Sequence, residues 1–280
     1  MIILSKIDGK EISKNIKENI KDKVRGYMIK PCLAVIQIGN NEASTLYINN
    51  KEQACSEVGI YFKLLKYDEN VYEKEVINKI IELNNDEYVN GIILQLPIPA
   101  NLNEQRILNY ITSSKDVDGL NDINTGRLVN EKEGMVPCTA LGIIEILNSI
   151  DEKIEGKHVV VVGRGKLVGR PLISLLLKNN ATVTVCHSKT ENLNFHTKMA
   201  DILIVATGQK HLIKKDDVKE GAIVIDAGIT KEDGKIYGDV DYENVSKIAS
   251  YITPPIGGVG PMTVAMILKN VVKSYEKSNR

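Results

Sequence analysis

The chain of 280 residues has no tryptophan and only two phenylalanines. Its cores must therefore be built from Val, Ile and Leu, the residues of strands buried on both faces. Cysteine is sparse: Cys32, Cys55, Cys138 and Cys186 are scattered, with no C-x-x-C pair. That excludes the usual zinc and disulfide frameworks and fits a reducing compartment. His187, His196 and His211 share no metal-ligand spacing, so no metal is expected. Neither sign of charge is in excess, with 36 basic against 36 acidic residues. No global field draws such a chain to nucleic acid or to an anionic membrane. No apolar run approaches the roughly 20 residues of a membrane span. The N-terminus, MIILSKIDGKEIS, turns polar too early for a signal peptide. The expectation is a cytoplasmic protein with no nucleic-acid or membrane partner.

What is present is alternation. The run CLAVIQIG reads as a strand, STLYINNKEQACSEVG as a helix, YFKLLKY as a strand and EKEVINKIIELNN as a helix. GIILQLPIP is a third strand stopped by prolines, and NEQRILNYI is a helix. This order predicts an α/β unit with a parallel sheet. A polar stretch from Ser113 to Gly142 follows, rich in Gly, Asn, Asp and Ser, and reads as a long functional connection rather than core. The strands KHVVVVG, ATVTVCH, DILIVATG and AIVIDAG then form a second unit, with a helix starting near Val168. The expected division is residues 1–138 with 261–280 as one domain and 139–260 as the other.

The second unit carries a phosphate motif. VVVVGRGKLVGRP is strand, glycine-rich turn and helix, with glycines at 163, 165 and 169. Gly163 permits the tight turn, Gly165 lets backbone approach a pyrophosphate, and the helix N-terminus attracts the anion. An NAD site places Asp or Glu about 20 residues on, at the end of the next strand, to hold the ribose 2′-hydroxyl. Here the residues are Cys186, His187, Ser188 and Lys189. Without a carboxylate to repel it, a 2′-phosphate is accommodated, and Arg164 and Ser188 are its candidate donors. The inference is NADP over NAD; the plainer alternative leaves Arg164 and Lys189 solvated.

In the first unit, Tyr47, Lys51, Ala54, Cys55 and Val58 share one helical face. Lys51 is the polar exception in that stripe. Desolvated, its amine acts as a base near neutral pH; snorkelling, it merely wets its tip. Gln95 sits between leucines at the end of the third strand, where it needs either a backbone partner or a ligand. Asp116 and Asp118, in KDVDGL, lie in a turn. Tyr47, Lys51, Gln95 and Asp118 together are candidates to converge on one crevice beyond the strand ends.

These motifs, in this order over nearly the whole chain, resemble the methylenetetrahydrofolate dehydrogenase/methenyltetrahydrofolate cyclohydrolase family. S-x-x-Y-x-x-x-K is present as Ser44, Tyr47 and Lys51; QLPLP appears as QLPIP, and KDVDG is intact. PCTPxG appears as PCTALG, GRSxxVGxP as GRGKLVGRP, and TPVPGGVGPMT as TPPIGGVGPMT. The resemblance implies two α/β domains with a cleft between them, a Rossmann-type NADP domain, tetrahydrofolate derivatives as substrates, and a homodimer. It implies oxidation of 5,10-methylenetetrahydrofolate with NADP⁺, then hydrolysis to 10-formyltetrahydrofolate. By the same resemblance Lys51 is the key catalytic residue, Tyr47 positions the folate, Gln95 orients Lys51 and Asp118 holds the pterin. Ser44, Gly258 and Pro261 border the folate, while Gly163, Arg164, Gly165, Ser188 and Ile229 contact the cofactor. Departures from the pattern are Gly165 for serine, Ala140 for proline, Pro255-Ile256 for Val-Pro and DAGIT for DVGIN. The competing reading is a monofunctional dehydrogenase of the same fold.

Overall fold

The structure, a computed structural model, describes residues 5–150 and 152–278. In chain order the described strands are β1 (Ser5–Lys6), β2 (Cys32–Ile38), β3 (Tyr61–Tyr67), β4 (Gly91–Leu94), β5 (His158–Val162) and β6 (Thr182–Cys186). They continue as β7 (Ile202–Val205), β8 (Ile223–Asp226), β9 (Thr230–Glu232), β10 (Lys235–Tyr237) and β11 (Tyr251–Ile252). The α-helices are α1 (Gly9–Arg25), α2 (Glu42–Val58), α3 (Glu73–Asn85), α4 (Glu104–Tyr110) and α5 (Asp122–Val129). Then come α6 (Cys138–Ser149), α7 (Gly169–Lys178), α8 (Leu193–Thr197), α9 (Tyr242–Val245) and α10 (Val259–Ser278). The chain forms two compact units, Lys14–Cys138 with Val264–Arg280, and Met1–Ser13 with Thr139–Thr263. They are called the first and second units below.

In the first unit β2 runs in parallel between β3 and β4, with Ile36 opposite both Leu65 and Leu94. Being central, β2 has no solvent face, which is why its sequence is a continuous apolar run rather than an alternation. Ala34, Ile36, Ile80, Ile92, Leu94 and Ile107 pack into one core beside it. Burying each large aliphatic side chain there is worth about 2 kcal/mol. Helix α2 follows β2 at its carboxyl end. Asn41 opens the helix by accepting from the Ser44 N–H, and Gly59 closes it in the left-handed region at φ 82°.

The second unit is a six-stranded sheet in the order β1-β11-β8-β7-β5-β6, every pairing parallel. The chain passes from β5 outward to β6, then returns to β7 on the other side of β5. That reversal leaves a crevice at the carboxyl ends of β5 and β7. A short antiparallel hairpin, β9–β10, is inserted after β8.

The structure corrects the sequence reading in two places. Residues 1–138 were expected to fall in one domain, but the segment before Lys14 joins the second unit. The reason is strand addition: β1 pairs beside β11, with Ser5 opposite Tyr251 and Lys6 opposite Ile252. So short an edge strand carries no alternation to read. The polar stretch before Gly142 is also not a loose connection. It holds α5 and the start of α6, and Asp116, Asn121 and Asn124 are buried within it.

Candidate active site

In the first unit the polar residues meet where β2 and β4 end. Lys51 lies on α2, one turn beyond Tyr47, and is only 7% exposed. Its Nζ donates to Gln95 Oε1 at 2.8 Å, and Gln95 Nε2 donates to Leu96 O at 2.8 Å. Both ends of the glutamine amide are therefore used, which sets its orientation. Of the two sequence options for Gln95, a backbone partner or a ligand, the structure shows the backbone partner, Leu96 O, together with the bond from Lys51. Ser44 Oγ donates to the same Leu96 carbonyl at 3.4 Å, joining the α2 N-terminus to the strand end. Tyr47 is 44% exposed, so the expected apolar stripe is sealed at Lys51, Ala54, Cys55 and Val58 and open at Tyr47.

Asp118 arrives on a loop braced from beneath. Asp116 accepts from the N–H groups of Leu120 and Asn121, at 3.3 and 3.0 Å, and from Asn124 Nδ2 at 2.9 Å. Asn124 also donates to Ser113 O and accepts from the Met135 N–H. This buried network, with every polar partner satisfied, fixes the turn that presents Asp118.

Electrostatics at the cluster follow from burial. Desolvation pulls the Lys51 ammonium below the usual lysine range, opposed mainly by the charge of Asp118. Burial pushes the Asp118 carboxyl up, and Lys51 pulls it back. Removal from water is the larger effect on both, so burial weakens the charged form of each. Sequence reasoning missed one member of this group, Cys138. Its thiol donates to Val117 O at 3.2 Å and hydrogen-bonds Asp118, and burial raises its pKa so that it stays protonated. Asn270 of α10 braces it, with Nδ2 donating to Val117 O at 2.8 Å and to Cys138 Sγ at 3.5 Å. The position of Cys138 in the PCT motif was the available signal.

The second unit places the expected cofactor residues after the carboxyl ends of β5, β6 and β8, with β7 between β5 and β8. Gly163 to Gly165 follow β5, Ser188 follows β6 and Ile229 follows β8. Gly163 has φ 118°, and a side chain there would collide with the Ala206 carbonyl; only glycine serves. A side chain at Gly169 would strike the Gly163 carbonyl, so α7 starts tight against the turn. Gly165 has open space around it, and α7 has no side-chain cap at its start. An uncapped helix N-terminus behind an open glycine is a cradle for a phosphate. Arg164 and Ser188 are exposed at the ends of neighbouring strands. The residues present thus fit a dinucleotide. Gly258 and Pro261, expected at the folate, belong to the second unit, where Pro261 O accepts from Ser13 Oγ at 3.1 Å. Among the described residues no cluster of metal-ligating side chains occurs, and no helix is long and apolar enough to cross a membrane.

Comparison with known proteins agrees with this division of chemistry. Residues 7–118 match the model of the tetrahydrofolate dehydrogenase/cyclohydrolase catalytic domain, and residues 137–279 that of its NAD(P)-binding domain. The bifunctional protein FolD of Oceanobacillus iheyensis is 47% identical over 277 residues, covering 98% of this chain and 97% of its own. The crystal structure of the bifunctional FolD of Campylobacter jejuni superposes with a TM-score of 0.96 at 47% identity, over 98% of this chain and 99% of that one. The methylenetetrahydrofolate dehydrogenase-cyclohydrolase of Trypanosoma brucei, solved with NADP cofactor and an inhibitor, gives 0.95 at 35% identity over the whole of both chains. With both domain models matched in order and relatives this similar along its length, the chain belongs to the tetrahydrofolate dehydrogenase/cyclohydrolase family.

Proposed function

We propose that this chain oxidises 5,10-methylenetetrahydrofolate with NADP⁺ and then hydrolyses the methenyl product to 10-formyltetrahydrofolate. The observation that carries the second step is the buried Lys51–Gln95 hydrogen bond beside Asp118, where burial holds the Lys51 ammonium below the usual lysine range. Bound NADP⁺ supplies the hydride acceptor. Gly163 to Gly165 and the start of α7 receive its pyrophosphate, Arg164 and Ser188 its 2′-phosphate, and Ile229 lies toward its nicotinamide.

The folate half falls to the first unit. Asp118 accepts from the amino-pyrimidine edge of the pterin, Tyr47 offers its exposed ring to the folate, and Ser44 holds the strand end beneath. Gly258 and Pro261 border the folate. The methenyl species is a cation, so a neutral Lys51 does not repel it, whereas an ammonium would. Water attacks the cationic carbon while Lys51 takes its proton. The bond from that carbon to N5 then breaks, the hydroxyl becomes the formyl carbonyl and N5 takes a proton, with one proton released overall. Gln95 keeps the amine aimed.

A homodimer in the cytoplasm completes the reading; the family resemblance supports the first and the scattered reduced cysteines the second. The test supplies methylenetetrahydrofolate and NADP⁺ and follows NADPH, methenyl and 10-formyl species together. NADPH with little methenyl accumulation, and 10-formyl product forming faster than in an enzyme-free blank, is expected. Methenyl accumulating in step with NADPH would leave only a dehydrogenase.

A further inference from the structure

Two buried carboxyl groups in the second unit remain without a role. Asp226 ends β8 at 4% exposure, and Asp239, fully buried, follows the β9–β10 hairpin. Asp239 Oδ2 accepts from the Thr207 N–H at 2.5 Å, Thr207 Oγ1 at 2.9 Å and the Gly208 N–H at 3.1 Å. It thus holds the loop after β7. Asp226 accepts from the Gly228 N–H at 3.0 Å, the Asp239 N–H at 3.2 Å and the Val240 N–H at 2.9 Å. It thus holds the loop after β8 and the base of the hairpin.

Both carboxyls lie against Gly228, whose N–H donates to Asp226. A side chain at Gly228 would strike the Asp239 carboxyl, and one at Gly238 would strike that of Asp226. Asp239 Oδ1 is buried with no conventional donor. A buried carboxylate oxygen left bare is costly, and two charged carboxylates side by side are costlier. One proton resolves both problems.

We propose that Asp226 and Asp239 share a proton, donated by Asp226 to the bare Asp239 oxygen, and that this pair positions the Thr207–Gly208 and Gly228–Ile229 loops for the nicotinamide end of the cofactor. The positioning half rests on the NADP reading above. Burial, with the charge of Asp239 adding to it, pushes Asp226 up to about 7. Among the described residues no cation contributes to the Asp226 shift. Lys210, over the Tyr237 ring at 3.7 Å, pairs with Glu232, and His211 lies edge-on to Tyr237. Above neutrality the shared proton is lost, like charges face each other and the two loops loosen. Cofactor binding is thereby linked to pH through residues that touch neither the folate nor the reacting carbon.

Two measurements on the full chain separate the halves. Carbon-13 carboxyl spectra of aspartate-labelled protein should show one resonance titrating near neutrality. It should vanish in Asp226→Asn and move to lower pH, while staying above the ordinary carboxylate range, in Asp239→Asn, which removes the neighbouring charge but not the burial. Absence of any Asp226-dependent resonance titrating above about pH 5 overturns the pair. NADP⁺ titrations at pH 6.5 and 8.5 test the linkage. The 2′-phosphate of the probe titrates as well, and Asp226→Asn carries that effect alone. The wild type should weaken several-fold more than Asp226→Asn between the two pH values. Equal weakening overturns the positioning role. Should Asp226→Asn fail to fold, Asp239→Asn serves the same comparison, since it also removes the facing charges. No NADP⁺ binding at either pH sinks the cofactor reading and the positioning half with it, while the resonance alone decides the pair.

Discussion

Lys51 is where the two proposed activities part. Hydride transfer from the methylene carbon needs orientation more than a base, whereas hydrolysis needs an uncharged amine within reach of water. Lys51→Met keeps the length and burial of the side chain and removes the amine. Cyclohydrolase activity is expected to fall at least about 100-fold, in the range of a lost general base, with NADPH formation retained within about tenfold. Methenyltetrahydrofolate would then accumulate, which its absorbance reports. Hydrolysis surviving in this variant would remove Lys51 from the mechanism. The pH dependence has a definite sign. Only the free amine accepts the proton of water, so the hydrolysis rate rises with pH through the Lys51 pKa, which burial holds below the usual lysine value. A single-turnover hydrolysis profile showing no such limb below about pH 10 would contradict a desolvated Lys51.

At the scale of elements, the β5–α7 turn gives a paired test. Gly163→Ala forces a side chain against the Ala206 carbonyl at φ 118°, so both stability and NADP⁺ binding should drop. Gly165→Ser restores the hydroxyl that the family pattern has, in open space, and should fold normally and bind NADP⁺ at least as tightly. Thermal melts with and without NADP⁺ distinguish the two. The loop carrying Asp118 gives another. Asn124→Ala strands the Ser113 carbonyl and the Met135 N–H and removes one of the two donors to Asp116 Oδ2, at a cost of about 3 kcal/mol. Urea denaturation should report that loss, and the apparent affinity for folate should fall because the Asp118 turn is no longer held. The glycine turn was legible in the sequence because its signal is local: a β-branched run, three glycines and an amphipathic helix. The Asp116–Asn124 network was not. Its asparagines read as turn formers, and their burial is a tertiary fact that composition hides. Lys51 lay between, since periodicity put it on an apolar face but could not choose between a snorkelling lysine and a desolvated one. The Gln95 bond and the pull of burial make that choice.

The whole chain is threaded so that neither unit is continuous, and that makes the C-terminal helix part of the first unit's site. From Val264 onward α10 belongs with Lys14–Cys138. Leu268 and Val271 are fully buried, and a side chain on Gly91 at the start of β4 would press on Val271. Asn270 supports the Val117 carbonyl and Cys138 Sγ, the atoms next to Asp118. Lys273 donates to Gly134 O at 2.7 Å, and Tyr275 lies against Tyr27 with ring centroids 4.6 Å apart. Ending the chain after Thr263 removes all of these together. The exposed aliphatics, with the Val117 carbonyl left to the weak Cys138 thiol donor alone, would cost more than the total stability of a typical domain. The truncated protein should therefore lose both activities and its first unit's protection from proteolysis. The six-stranded sheet of the second unit keeps its own strands, β1 included, and should retain protected fragments and NADP⁺ binding. Asn270→Leu isolates the polar part of the argument: the helix still packs, but the Asp118 turn loses its brace, so hydrolysis should suffer more than stability. Equal protection of both units after truncation would show that α10 is dispensable to the first unit, and the account of how Asp118 is held would have to be rebuilt from the Asp116 network alone.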